Sequence, residues 1–365
     1  MPGINFLRIL TAVLPFVALA FVMWRTWRLL PFALWGNAVV LAAMLLLTVL
    51  MPVCMLPGTL DKLPLPLAVV LYKASMSWVF VLLYMLVCFL LVDLLGLAHI
   101  VPQSLRFNSL AGTLGLAAVL AVVFVAGNIN YHHKHREEIS LHTAKPLAKP
   151  LKIVMLSDLH TGYHIRRAEL SQWVDIINGE KPDLVLIAGD VIDRSVEPLL
   201  KDRDAAEFRR IKAPVYACPG NHEYYSDIDK ACRFYRMAGI TMLRDSAVSV
   251  AGINIVGRDD LTNRRRKPLA ELVSGIDSTR FTILLDHQPV HLDDARKCGV
   301  DFELCGHTHN GQLWPVSWIT RAMYECAYGH CSKGRTQYYV TSGIGIWGGK
   351  FRIGTRSEYV VMNLE

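Results

Sequence analysis

The chain has 365 residues, of which 53% are hydrophobic and 19% charged. Its mean hydropathy of +0.32 is high for a soluble protein. The formal net charge of +7 is modest. With no basic-aromatic ribbon and no zinc-finger spacing, nucleic acid is excluded as an expected partner. Eight cysteines are scattered without a Cys-x-x-Cys, which fits structural thiols in a reducing compartment. Cys326 and Cys331 are close enough for a disulfide or a small metal site.

The apolar excess lies before about residue 130. Up to Gly127 the only cations are Arg8, Arg25, Arg28, Lys62, Lys73 and Arg106, and the only anions Asp61 and Asp93. Four apolar segments reach the roughly 20 residues that a bilayer crossing needs. They run over Ile4–Trp24, Ala33–Met55, Ser75–Leu97 and Leu110–Ile129. Ala18-Leu19-Ala20 has the small residues of a signal-peptide cleavage site. Apolar sequence continues past it, so an uncleaved helix is expected. Trp24, Trp27, Trp35 and Tyr131 sit where aromatic belts lie. With the N-terminus inside, Arg8, Lys62, Lys73, Lys134, Arg136, Lys145 and Lys149 fall on the inner side. Arg25, Arg28 and Arg106 then fall outside. Four spans therefore return the chain to the cytoplasm, at a cell membrane.

Residues 131–150 read as a juxtamembrane linker. His132, His133 and His135 with Lys134 and Arg136 make a polar, head-group-facing patch, and Lys145-Pro146 and Lys149-Pro150 mark extended chain. Beyond it, Lys152–Leu156, Asp183–Ala188 and Pro214–Cys218 are short buried-strand runs. Helical patterns cover Arg166–Asn178, Arg203–Ile211 and Asp227–Ala238. This alternation predicts α/β architecture with neighbouring parallel strands. From Gly239 onward short strands dominate: Ile240–Leu243, Ala247–Val250, Ile253–Val256, Arg280–Leu285, Phe302–Cys305, Gln337–Thr341 and Glu358–Met362. They suggest a second, mixed or antiparallel sheet.

Five polar clusters follow predicted strands: Asp158-Leu159-His160, Gly189-Asp190-Val191-Ile192-Asp193, Gly220-Asn221-His222-Glu223, Asp286-His287-Gln288-Pro289 and Gly306-His307-Thr308-His309. Loops at the carboxyl ends of strands can share one rim. Carboxylates, imidazoles and an amide in mixed sets suit two divalent cations of the Mn, Fe or Zn kind more than Mg. Such a pair needs a bridging carboxylate, and Asp190 is the candidate, presenting one oxygen to each ion. Asp193 reads as a helix cap or as a partner standing behind the ligands.

As a set, these motifs resemble the calcineurin-like metallophosphoesterase superfamily over about Lys152 to Glu365. The tail, with Ser342-Gly343-Ile344-Gly345, Arg352-Ile353-Gly354 and Glu358, is similar to its bacterial membrane-associated branch related to lipid A precursor (UDP-diacylglucosamine) pyrophosphatases. Asn310 departs from the glycine usual there and is expected only to reshape the loop. The resemblance implies a four-layer αββα sandwich at 151–365, behind a polytopic transmembrane domain at 1–130. It assigns Asp158, His160, Asp190 and His309 to one metal and Asp190, Asn221, His287 and His307 to the other. It places His222 at the leaving oxygen as a catalytic residue, with metal-bridging hydroxide attacking phosphorus. The expected substrate is a phosphodiester or pyrophosphate, first of all a nucleotide-linked or phospho-glycolipid at the bilayer. A soluble or cyclic nucleotide is the enzymatic alternative, and a non-catalytic membrane sensor or scaffold the competing class. The oligomeric state is not legible.

Two features stand apart. Arg264-Arg265-Arg266-Lys267 reads as a solvated charge run or as a clamp on an anionic head group. Trp314, Trp318 and Trp347 read as an apolar wall near the metal loops or as core.

Overall fold

The computed structural model describes residues 2–365, with side chains from Val13 onward. Two compact units emerge, one of residues 1–59 and 70–126, the other of 60–69 and 127–365.

The first unit is helical. Among the described residues, the helices Leu34–Met55, Leu65–Leu97 and Leu110–His132 are long and apolar enough to cross a membrane. The first predicted span lies in the helix Pro2–Leu29, and its first residues, through 12, lie outside the described side chains. Large apolar side chains such as Leu46, Leu94 and Val122 face outward. Water would penalise that arrangement, and lipid does not. Arg25 was expected in an outer loop. It is buried instead, with Nε and Nη2 each 2.9 Å from the Asp93 carboxylate. A charge inside an apolar bundle is held only when paired.

The second unit holds twelve strands. β1 (Lys134–Leu141), β2 (Leu151–Leu156), β3 (Leu184–Ala188), β4 (Val215–Cys218), β5 (Ile240–Met242), β6 (Ser246–Val250) and β7 (Ile253–Gly257) come first. β8 (Thr282–Leu285), β9 (Phe302–Cys305), β10 (Gly329–Lys333), β11 (Thr336–Val340) and β12 (Ser357–Leu364) follow. They form two six-stranded sheets, in the orders β1-β12-β2-β3-β4-β5 and β10-β11-β9-β8-β7-β6. β2 to β5 are mutually parallel. So are β7, β8, β9 and β11, with β6 and β10 as antiparallel edges.

The layering follows from the period of two along each strand. In β2, Ile153 and Met155 join β7, β8 and β9 residues such as Ile255, Leu285 and Leu304 in the core between the sheets. Val154 and Leu156 point the other way, against helix residues Trp173, Phe208 and Phe234. The outer face of the second sheet packs Val256, Leu284 and Tyr338 against Leu269, Leu272 and Leu292. The result is the expected four-layer αββα order.

Three sequence readings change. Residues 131–150 contain β1, which pairs parallel with β12 from Lys134↔Ser357 to Leu141↔Leu364. An edge strand is half exposed, so charged residues such as Arg136 and Glu138 are compatible with it and hide it from a hydrophobicity scan. β5 and β12 were grouped with the later strands but belong to the first sheet. Cys326 and Cys331 form a disulfide, with Cα atoms 6.5 Å apart.

Residues 127–132, the last turns of the helix Leu110–His132, belong to the second unit. Asn128 Nδ2 donates to Lys350 O at 2.9 Å, and Asn130 Nδ2 to Arg352 O at 2.8 Å. Tyr131 is fully buried and its hydroxyl donates to Glu169. A Cβ on Gly127 would stand 2.7 Å from Ile353, so only glycine lets the helix lie this close.

Candidate metal centre

The parallel strands of both sheets end on one rim, and their loops bring the seven predicted ligands together. One set is Asp158 and His160 after β2 and His309 after β9. Its Nε2 atoms of His160 and His309 lie 3.0 Å apart, and they stand 3.7 and 3.3 Å from Asp158 Oδ1. A triangle of these sides has its centre about 2 Å from each corner, the ordinary length of a metal–nitrogen or metal–oxygen bond. The Nδ1 atoms of both histidines are buried without a hydrogen-bond partner. Facing ring nitrogens repel unless something positive lies between them, so this donor set fits a cation.

The second set joins Asp190, Asn221, His287 and His307. Asp190 Oδ2 is 3.1 Å from His287 Nε2. His287 Nε2 is 3.1 Å from Asn221 Oδ1, which is 2.9 Å from His307 Nδ1. The two sets meet at Asp190, whose Oδ2 also lies 3.7 Å from His160 Nε2. Its Oδ1 accepts the His222 backbone N–H at 2.9 Å, while Oδ2 lies near an imidazole of each set.

Neighbouring groups aim these side chains. His287 Nδ1 donates to Ala188 O at 2.8 Å, which leaves the lone pair of Nε2 directed at the site. Glu223 is buried, and its carboxylate accepts the backbone N–H of Gly220 at 2.7 Å and those of Asp190 and Ile192 at 3.0 Å. It thereby fixes two ligand loops at once. Asp193 stands behind the imidazoles: its Oδ1 is 3.1 Å from His222 Nδ1, and its backbone oxygen accepts from that nitrogen at 2.6 Å. Arg352 is buried and donates to the carbonyls of His309 at 2.7 Å and Gly345 at 2.9 Å, and to that of Ser342. The roles of Glu223 and Arg352 were missed by sequence reasoning. The only signal was their place inside Gly-Asn-His-Glu and Arg-Ile-Gly, since a buried partner at long separation has no local pattern.

Five of the seven candidate ligand residues have positive φ: Asp158, His160, Asp190, His307 and His309. Non-glycine residues there are strained, and such strain collects where a site needs a fixed geometry. Asn310 also lies there, at φ +50°. Asparagine is among the side chains that tolerate this region best, so it can stand where glycine is usual. Gly306 is needed for contact rather than angle, because a Cβ would sit 2.4 Å from Asp158 Oδ2.

The electrostatics suit a cation. Asp158 and Asp190 are buried, which opposes ionisation, yet the surrounding imidazoles hold both carboxyls well below the usual range. Burial pushes His307 down to about 4 and holds His309 well below the usual imidazole range, leaving neutral rings at neutral pH. Burial also opposes charge on His287, but Asp190 outweighs it and raises that pKa. A proton there occupies the place between imidazole and carboxylate that a metal would take.

Of the weaker features, Arg266 is neither solvated nor free for a head group. Its Nη1 is 3.1 Å from Asp286, which Arg258 also reaches at 3.1 Å. Arg264, Arg265 and Lys267 are exposed.

The calcineurin-like phosphoesterase family matches residues 151–311, which contain all seven candidate ligands. An uncharacterized metallophosphoesterase of Helicobacter pylori J99 is 33% identical over 60% of this chain, which spans 60% of that protein's length. The uncharacterized metallophosphoesterase Cj0846 of Campylobacter jejuni is 32% identical over 68% of each chain. Phosphodiesterase YaeI of Escherichia coli is 28% identical over 68% of this chain and 97% of its own. With these relatives, the chain belongs to the calcineurin-like metallophosphoesterase family.

Proposed function

We propose that this protein is a membrane-anchored phosphohydrolase that uses two divalent cations, of the Mn, Fe or Zn kind, to cleave a phosphodiester or pyrophosphate bond. The observation that carries this is the single Asp190 oxygen shared by two donor sets, since a phosphoryl clamp needs two ions close together. The E. coli relative bears the name phosphodiesterase, which supports the phosphodiester arm. We take the apolar helices before about residue 130 as the anchor and residues 151–365, with β1 added to their first sheet, as the hydrolytic domain. A lipid-linked substrate suits that arrangement, because anchoring concentrates enzyme and lipid in one surface.

When bound, the cations would supply Lewis acidity and lower the pKa of water at the site. Asp158, His160, Asp190 and His309 would hold one, and Asp190, Asn221, His287 and His307 the other. His222 keeps Nδ1 on Asp193 and has Nε2 left to meet the leaving oxygen. Asp190 and Asp193 overcome the effect of burial on this ring and raise its pKa to about 9, so at neutral pH it carries a proton to give.

The test is hydrolysis of a panel of phosphodiesters, pyrophosphates and monoesters by the purified full chain with added Mn²⁺. His222→Ala is expected to lower turnover by roughly a hundredfold or more with metal content unchanged. No turnover of any substrate by the parent protein would sink the proposal.

The cues on sidedness disagree. Lys and Arg bias points to the cytoplasm, whereas a disulfide belongs to an oxidising compartment. We propose the cytoplasmic side. The bias acts when the spans insert, while a Cys326–Cys331 pair only five residues apart opens or closes with the local redox state. Green fluorescent protein fused after Glu365 is then expected to fluoresce, and alkaline phosphatase fused there to be inactive. The opposite pattern places the domain outside.

A further inference from the structure

The helix Val316–Met323 is folded inside out. Its buried residues are Ser317 and Thr320. Its exposed ones are Trp318 (63%), Ile319 (59%) and Met323 (72%), with Arg321 beside them. Between residues 151 and 365 the other exposed large apolar side chains are Leu200, Tyr225, Met237 and Trp314, so the helix and the Trp314 before it carry most of them. A soluble surface does not concentrate apolar groups this way without a partner. Trp with Arg on one short helix is the composition of an interfacial segment.

Two contacts say what that partner is. The first ties the helix to the metal loop. A Cβ on Gly311 would lie 2.5 Å from Ser317, so the helix rests directly on the turn that carries His309. The Tyr324 ring at its end is 6.4 Å from the His307 ring. The second ties it to the end of a membrane-spanning helix. Trp314 N–H donates to Ile353 O at 2.7 Å, and Arg352 N–H donates to Gly127 O at 2.9 Å. Residues 352–354 are thus held between the last turns of Leu110–His132 and the start of Val316–Met323. One end of this path is an apolar span and the other a metal loop.

We propose that Val316–Met323 is a lipid-binding helix: its Trp318, Ile319 and Met323 face takes the acyl part of a lipid-linked phosphoester at the bilayer surface, which sets the phosphate over His307 and His309. This rests on the phosphohydrolase reading and names its substrate class. Acyl carbons gain by leaving water, phosphate does not, so an apolar ledge next to the metals sorts substrates by their tails.

The test uses the full chain in detergent and p-nitrophenyl alkyl phosphodiesters of increasing chain length in mixed micelles, with bis(p-nitrophenyl) phosphate as the tail-less substrate. The parent protein is expected to show kcat/KM rising by roughly tenfold or more from the shortest to the longest chain, given the gain for each methylene buried. The triple variant Trp318→Gln, Ile319→Gln, Met323→Gln, which keeps good helix formers, is expected to lose most of that rise. A variant that keeps the chain-length preference overturns the inference. So does a fall of equal size on every substrate, which is what a damaged fold produces. A parent protein that hydrolyses the tail-less substrate without any length preference overturns it while leaving the phosphohydrolase reading intact. No hydrolysis of any substrate sinks both.

Discussion

Replacing Asp190 by asparagine is expected to empty the centre of at least one ion and to lower kcat/KM for any phosphodiester by more than the roughly 10–100-fold that loss of an outer partner costs. The substitution keeps the shape and can keep Oδ1 on the His222 N–H. It removes the anionic oxygen that lies 3.1 Å from His287 and 3.7 Å from His160. With an amide there, neither set keeps its shared negative ligand, and two cations so close together repel without it. Metal analysis of the purified variant, beside initial rates at saturating Mn²⁺, makes the check. A variant that keeps two ions per chain and near-normal turnover would remove Asp190 from the bridging position.

Arg352→Met is expected to cost about 3 kcal/mol or more, because several buried carbonyls lose their donor together. For a domain of this size that corresponds to a fall in Tm of roughly 6–12 °C. The side chain is buried, and burial lowers its pKa to about 10 despite Asp158 and Glu358, so it remains a cation at neutral pH. Its donors tie the His309 turn to the Ser342–Gly345 loop. Metal affinity is therefore expected to fall along with stability, while Arg352→Lys retains part of both. Thermal unfolding in detergent, with and without Mn²⁺, reads the two effects. An unchanged Tm and metal affinity would show that the carbonyls find other donors.

The ligands were legible because their chemistry is local. Each polar cluster follows a run such as Lys152–Leu156 or Asp183–Ala188, whose buried, β-branched-rich pattern announces a strand. Asp-x-His or Gly-His-Thr-His then needs no distant partner to be noticed. β1 was missed for the opposite reason: it is polar, and only its pairing with β12, more than two hundred residues later, makes it a strand. The short helix Val316–Met323 carries an apolar-rich pattern that reads equally as core or surface. Which side faces out depends on Gly311 and Ser317 meeting.

Composition and spacing by themselves determined the apolar N-terminal region, the α/β alternation and the polar clusters at the strand ends. Those properties depend on the hydrophobicity and donor chemistry of residues close together in the chain. Tertiary structure alone decided that Asp190 Oδ2 lies near both His160 and His287, that Glu223 and Arg352 hold the loops, that Arg266 is paired with Asp286, and that Trp318 faces outward. Each is a contact between segments far apart in sequence. The distances that settle it exist only once two sheets have packed face to face and brought their strand ends to one rim.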